Sequence, residues 1–195
     1  MALNPKHVYA PSPVQNSTTG AVAVAATSVT APTDAKSTLG TGWTSGGYVD
    51  ENGISLQTTR SVTPLKDWSK AAIKEMLSDF GGSITVNFLQ VDQFAAERLF
   101  GSSNVTVTAA TSSAGEKIKV NIGANLPPVE SWCFSMKDGD ARLRVYVPRG
   151  QITEVAQMDF KPDTGLVFGG TIQCYDDGTG KSIVIMTDDG VTTGN

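Results

Sequence analysis

The stretch SITVNFLQVDQFAAERLFG, residues 83–101, decides how the fold is read. Ile84, Val86 and Phe88 alternate with Ser83, Thr85 and Asn87, the period-two pattern of a half-buried strand. Asp92 follows, and its side chain can accept hydrogen bonds from the unpaired N–H groups of a first helical turn. Ala95 with Leu99, and Ala96 with Phe100, stand four residues apart and give the next segment an apolar face. Gly101 can enter the left-handed region that ends a helix. The spacing thus predicts a strand running straight into a short helix near residues 92–100. A helix of about two turns is marginal alone. It must lie on something, and most of the remaining chain reads as sheet.

Downstream, short alternating segments are separated by turns rich in Gly, Asp and Pro. Residues 105–109 alternate, and residues 117–122 put Ile118, Val120 and Ile122 on one face and Lys117, Lys119 and Asn121 on the other. Trp132, Phe134 and Met136 form an inward row. After a turn at residues 137–140, Leu143, Val145 and Val147 answer them, with Arg142, Arg144 and Tyr146 expected outward. Residues 152–160 continue the pattern, and residues 166–175 and 183–186 flank a turn at 176–180 as a last hairpin. Pro127, Pro128 and Pro148 are expected between strands, where a missing N–H costs nothing. Many short strands with such turns indicate a sandwich or barrel. Residues 183–186, and in part Val167 and Phe168, are apolar on both faces. Such strands need a second cover, either the helix or another copy of the protein.

Upstream, residues 1–44 are the loosest part, interrupted by Pro5, Pro11, Pro13 and Pro32. They read as an extended N-terminal arm outside a compact core, and residues 45–195 as a single domain. Within the arm, GAVAVAA at residues 20–26 is too short and too far from the N-terminus for a signal peptide and is expected to be a strand. GGYVDENGISL at residues 46–56 reads as a hairpin turning at Asp50, Glu51, Asn52 and Gly53. Residues 57–61 and Pro64 read as an exposed loop leading toward Trp68. Residues 71–80 are locally ambiguous. Ile73, Met76, Leu77 and Phe80 fall at helical spacing, with Asp67 or Ser69 as caps. The alternative is a strand turning through Gly81 and Gly82 to pair with residues 84–91, which the two glycines favour.

Composition narrows the function. The 195 residues carry a net charge of −4, with a pI near 4.9. This argues against a domain that grips nucleic acid, since phosphate binding needs clustered Lys and Arg. Acids gather toward the C-terminus, where Asp159, Asp163, Asp176, Asp177, Asp188 and Asp189 face only Lys161 and Lys181. Cys133 and Cys174 read as small buried residues of a reducing compartment, and a disulfide would need their strands side by side. No segment approaches the ~20 apolar residues of a membrane helix, so a protein folded in a cytoplasm is expected. The sequons at residues 16–18 and 104–106 are then without consequence.

No catalytic, cofactor-binding or metal-ligating constellation emerges. The single histidine, His7, lies in the loose arm and has no partners for a triad or metal site. Residues 178–182, GTGKS, lack the upstream glycine and following helix of a phosphate loop and read as a hairpin turn. The Asp-Gly clusters at residues 138–140, 176–178 and 188–190 lack the alternating oxygens and bidentate Glu of a calcium loop.

Several segments, in order, carry a resemblance. GAVAVAATSVTAPTDA (residues 20–35), GGYVDENGIS (46–55), the sequence of Trp68, strand, glycine pair, strand, short helix and Leu99-Phe100-Gly101, and the ending at residues 168–186 with Tyr175-Asp176-Asp177 are similar to those of one family. The chain resembles the major tail proteins, or tail tube proteins, of long-tailed, siphovirus-like bacteriophages, especially those infecting actinobacteria. The resemblance implies a β-sandwich or partly closed β-barrel flanked by one short α-helix, and a strand at residues 71–80. It implies a virion protein without cofactors, assembled in the host cytoplasm into stacked hexameric rings. These rings form the hollow tail tube through which DNA passes without specific binding. The implied partners are other copies, the tape measure protein and other tail proteins, with no membrane. The arm before Thr44 and residues 50–66 are the expected ring-to-ring contacts. The competing readings are a capsid decoration protein, or a monomeric β-sandwich that binds carbohydrate or protein through Trp43, Trp68 or Trp132. An enzyme ranks last.

Overall fold

The computed structural model describes residues 7–15, 20–163 and 165–192, so the sequon at residues 16–18 and the start of the expected arm lie outside the described residues. Its strands in chain order are β1 (Ser12–Pro13), β2 (Val22–Ala25), β3 (Thr44–Gly46), β4 (Val49–Lys66) and β5 (Ala72–Phe88). The helix α1 (Gln93–Phe100) follows, then β6 (Val105–Thr108), β7 (Lys117–Val120), β8 (Glu130–Asp138), β9 (Ala141–Val155), β10 (Phe168–Tyr175) and β11 (Val184–Asp188).

The strand-to-helix unit forms as its residues dictate. Ile84, Val86 and Phe88 are fully buried on β5. The Asp92 carboxylate accepts the Ala95 N–H at 2.9 Å, and Gly101, at φ 84°, donates its N–H to the Glu97 carbonyl. The helix buries Phe94, Ala95, Ala96, Leu99 and Phe100. Phe94 meets Phe88 edge-on at 6.0 Å and Phe100 meets Phe168 edge-on at 5.7 Å.

The main sheet is antiparallel throughout, in the order β3-β2-β8-β9-β10-β5-β4, with β1 added on β8 and β11 on β9. It does not close into a barrel, and the mainly-β, sandwich-like class expected from the sequence holds. One face carries the core: Val22, Val24, Trp132, Phe134, Val145, Val147, Ile152 and Ile172. Its cover is α1 together with the separate β6–β7 ribbon, whose Val105, Ile118 and Val120 pack on the same cluster. The pairing of the inward rows is the one the alternation predicts, Trp132 opposite Val147, Phe134 opposite Val145 and Met136 opposite Leu143.

Several expectations are corrected. Residues 50–53 do not turn a hairpin. They bulge out of a single strand, for Val49 pairs with Phe88 and Ile54 with Val86. The turn-favouring residues are consumed by the bulge, with Gly53 at φ 67°. Residues 57–66 are strand rather than loop, paired with the first half of β5. Residues 71–80 adopt the strand that the resemblance implied, but they pair with β4 and run straight through Gly81 and Gly82. The register shift opposite Ser61 and Val62 reverses the alternation, so Leu77 and Phe80, paired with Val62 and Arg60, share one face and Met76, paired with Thr63, takes the other. Apolar residues on both faces imitate helical spacing, which is why the local pattern misled. The C-terminal strand β11 pairs with β9, not with β10 as a hairpin. Pro148 lies within β9, at the register shift opposite Ser131, where no ladder bond needs its N–H. Residues 22–25, inside the segment expected to stay outside the core, are wholly buried between β3 and β8.

Arg144 and Tyr146 do not face water, being 5% and 8% exposed. Residues 34–43 lie over that face of the sheet. The Arg144 guanidinium donates to the carbonyls of Asp34 at 2.7 Å and Ser37 at 2.9 Å, and Trp43 packs edge-on against Tyr146 at 6.2 Å. Cys133 and Cys174 are buried free thiols on β8 and β10, strands that β9 separates, so they do not pair.

Candidate assembly interface

From residue 57 to residue 80 every residue is exposed. These residues are the distal parts of β4 and β5, and among the described residues β4 pairs here only with β5, residues 57–59 with residues 81–83 and the rest within the stretch. They form a two-stranded arm that leaves the core where β10 stops pairing with β5 at Gly82. The arm is not polar. Val62, Leu65, Ile73, Met76, Leu77 and Phe80 are each at least 41% exposed, and Trp68 at its tip is 103% exposed. An isolated two-stranded hairpin is marginal in water, and exposed apolar side chains in one contiguous element mark an interaction surface.

Local chemistry stiffens the arm. At its tip the Asp67 carbonyl accepts the Lys70 N–H, and the Asp67 carboxylate accepts from the Ser69 hydroxyl at 2.6 Å and the Ala71 N–H at 2.9 Å. These bonds, the Ser69 hydroxyl first, hold the Asp67 carboxyl below the ordinary carboxylate range. Lys70 takes up φ 68°, the one non-glycine residue with positive φ among those described. Along the arm the Arg60 guanidinium sits over the Phe80 ring at 5.8 Å. Pro64 is tolerated because β4 is an edge strand whose outer side has no ladder to satisfy.

The sheet has further open margins. Among the described residues β3 pairs only with β2, β4 only with β5 and β11 only with β9. Unpaired margins of this length invite another chain. On β11, Ile185 is 59% exposed, which bears out the sense that this strand is apolar on more than its covered face.

The other sequence-derived candidates are not brought together. Trp132 is 1% exposed and belongs to the core, Trp43 lies against Tyr146, and Trp68 stands at the arm tip. His7 lies 3.7 Å from Asp189 on the surface. Among the described residues no group of three or more His, Cys, Asp or Glu is placed to hold a metal ion. No described helix is long and apolar enough to cross a membrane. The Asp-Gly clusters act as turns: Asp177 accepts from the Thr179 hydroxyl and backbone, which hold its carboxyl low. Residues 57–68 were legible as exposed, but residues 71–80 were not, nor were the two as one element, because two long strands that bury nothing lack a one-sided pattern.

No curated protein matches the chain. A family model described as phage tail tube protein matches residues 1–193. An antiparallel sheet with open margins and an uncovered apolar arm fits a protein whose remaining contacts are with other chains of a virion. The chain belongs to the phage tail tube protein family, structural components of the viral tail.

Proposed function

We propose that this chain self-assembles into hexameric rings that stack into a hollow tail tube, through which DNA passes without specific binding. The observation that carries this reading is the arm at residues 57–80, whose apolar side chains have no cover within the molecule. Copies of the chain, and the tape measure protein inside the tube, are its partners. The net charge of −4 suits a conduit, because a basic lumen would hold DNA through counterion release whereas an acidic one lets it slide. The siphovirus-like tail and actinobacterial host rest on the sequence resemblance.

A monomeric binding module has less support, since Trp132 and Trp43 are packed within the fold and Trp68 has no pocket behind it. The test is negative-stain electron microscopy of the purified chain over rising concentration. Rings or tubes of uniform diameter are expected. A light-scattering profile that stays monomeric at the highest concentration ends the proposal, and particles found only on capsids would move the chain to a decoration role.

A further inference from the structure

Between β1, β8 and the bulge of β4 lies a cavity of about 260 Å³. It is smaller than the ~300–1,000 Å³ of small-molecule sites and is sized for one large side chain. Pro11, Pro13, Ile54, Phe134 and Met136 give it apolar walls, and its only charged lining residues are Glu51, which is exposed, and Asp50, whose carboxylate also accepts from Asn52 and Asn87. The fully exposed Trp68 is bracketed by Lys66 and Lys70. The Asp67 carboxylate between them is occupied inside the turn, so the tip presents an apolar knob with positive flanks. In a chain of net charge −4, this basic tip stands out.

Knob and socket cannot meet within one molecule. The socket lies at the bulge, residues 50–54, and twelve residue steps of strand separate Ile54 from Lys66, about 40 Å at ~3.3 Å each. We infer that the Trp68 tip of one copy inserts into the Pro11–Phe134–Met136 socket of a second copy, with Lys66 and Lys70 against Asp50 and Glu51. The contact joins different surfaces of two identical chains, so it is heterologous and leaves each copy with a free knob or a free socket. Such a contact propagates rather than closing as a two-fold dimer, giving a ring where the rotation closes and a filament where it does not. A buried Trp ringed by complementary charge is the kind of anchor that dominates interface energy. The inference rests on the self-assembly reading above and specifies which surfaces carry it.

The experiment mixes two full-length variants, Ser69→Cys and Glu51→Cys, under mild oxidation. The native thiols are buried and do not compete. A heterodimeric disulfide is expected at roughly tenfold the yield of a control pairing Ser69→Cys with Ser112→Cys on the exposed β6–β7 loop. Adding Trp68→Ala to the Ser69→Cys chain should lower the yield by about tenfold, the loss expected for an interface anchor. That side chain touches no core residue, and circular dichroism checks that the fold is kept. Rings or tubes that form while the Ser69–Glu51 yield equals the control overturn the socket and leave the assembly reading intact. Monomers with no cross-link overturn both. A cross-link insensitive to Trp68→Ala also overturns the proposal, because it assigns the contact to strand margins instead.

Discussion

At the scale of single residues, the core is held by fits that leave no slack. Trp132 donates its indole N–H to the Gly150 carbonyl at 3.3 Å and stacks on Phe134. A Cβ at Gly150 would lie 2.7 Å from Ile172 Cγ2 and 2.8 Å from Trp132 Cδ1. Gly150→Ala should therefore cost about 1–3 kcal/mol, as overpacked cores do, read as a lower urea midpoint. A second residue-scale effect is electrostatic. The Asp34 carboxylate accepts from the Ser37 hydroxyl and from the Ser37 and Lys36 N–H groups, which lower its pKa from 3.8 to about 2. A carboxyl depressed in the folded state adds stability that is complete above its unfolded pKa and is lost as pH falls through its folded one. Asp34→Asn should thus be less stable than the parent at pH 7, and the gap should close between pH 3.8 and about 2. Denaturant melts of both proteins across that window check it, and a gap constant down to pH 2 would count against it. Burial acts on the thiols in the opposite sense, pushing Cys174 up to about 12 and raising Cys133, so neither is a native nucleophile.

At the scale of elements, α1 and the arm are opposites. The helix is short but pinned at every side: by its Asp92 cap, by aromatic contacts with Phe88 and Phe168, and by the Arg98–Glu130 ion pair that ties it to β8. Burial, opposed by Arg98, raises the Glu130 carboxyl. The arm has backbone pairing and almost nothing beneath it. Opening free energies within one fold range from near zero to the global value, and exposed ladders sit at the low end. Hydrogen exchange should therefore find residues 58–66 and 72–80 poorly protected in dilute protein and strongly protected after assembly, while residues 132–136 and 145–152 stay protected in both. An arm that exchanges equally fast in both states would show that assembly does not use it.

At the scale of the whole molecule, the sheet is covered unevenly. One face has α1 and the β6–β7 ribbon, the other has residues 34–43 over β8 and β9, and the arm has no cover. A chain whose last apolar surface is buried only by its copies gains stability by mass action. Its thermal midpoint should rise with protein concentration, and removing the arm by joining Gln57 to Gly81 through a short turn should abolish that dependence while leaving a folded monomer. A midpoint that climbs with concentration in the shortened chain too would point to other surfaces.

The sequence alone determined what depends on neighbours in the chain. Alternation placed Trp132, Phe134, Val145 and Val147 on one inward face, and the Asp92 and Gly101 signals bounded the helix, because period and capping are local physics. The same alternation set the β-rich class, and the order of segments carried the family. Long-range pairing was decided only in three dimensions. Residues 71–80 could be helix or strand until β4 supplied a partner, and β11 could pair with either neighbour until β9 took it. Arg144 looked outward because nothing nearby in sequence announces that residues 34–43 return across its face. Local sequence fixes which way a side chain points along a strand, whereas what it meets there depends on segments a hundred residues away.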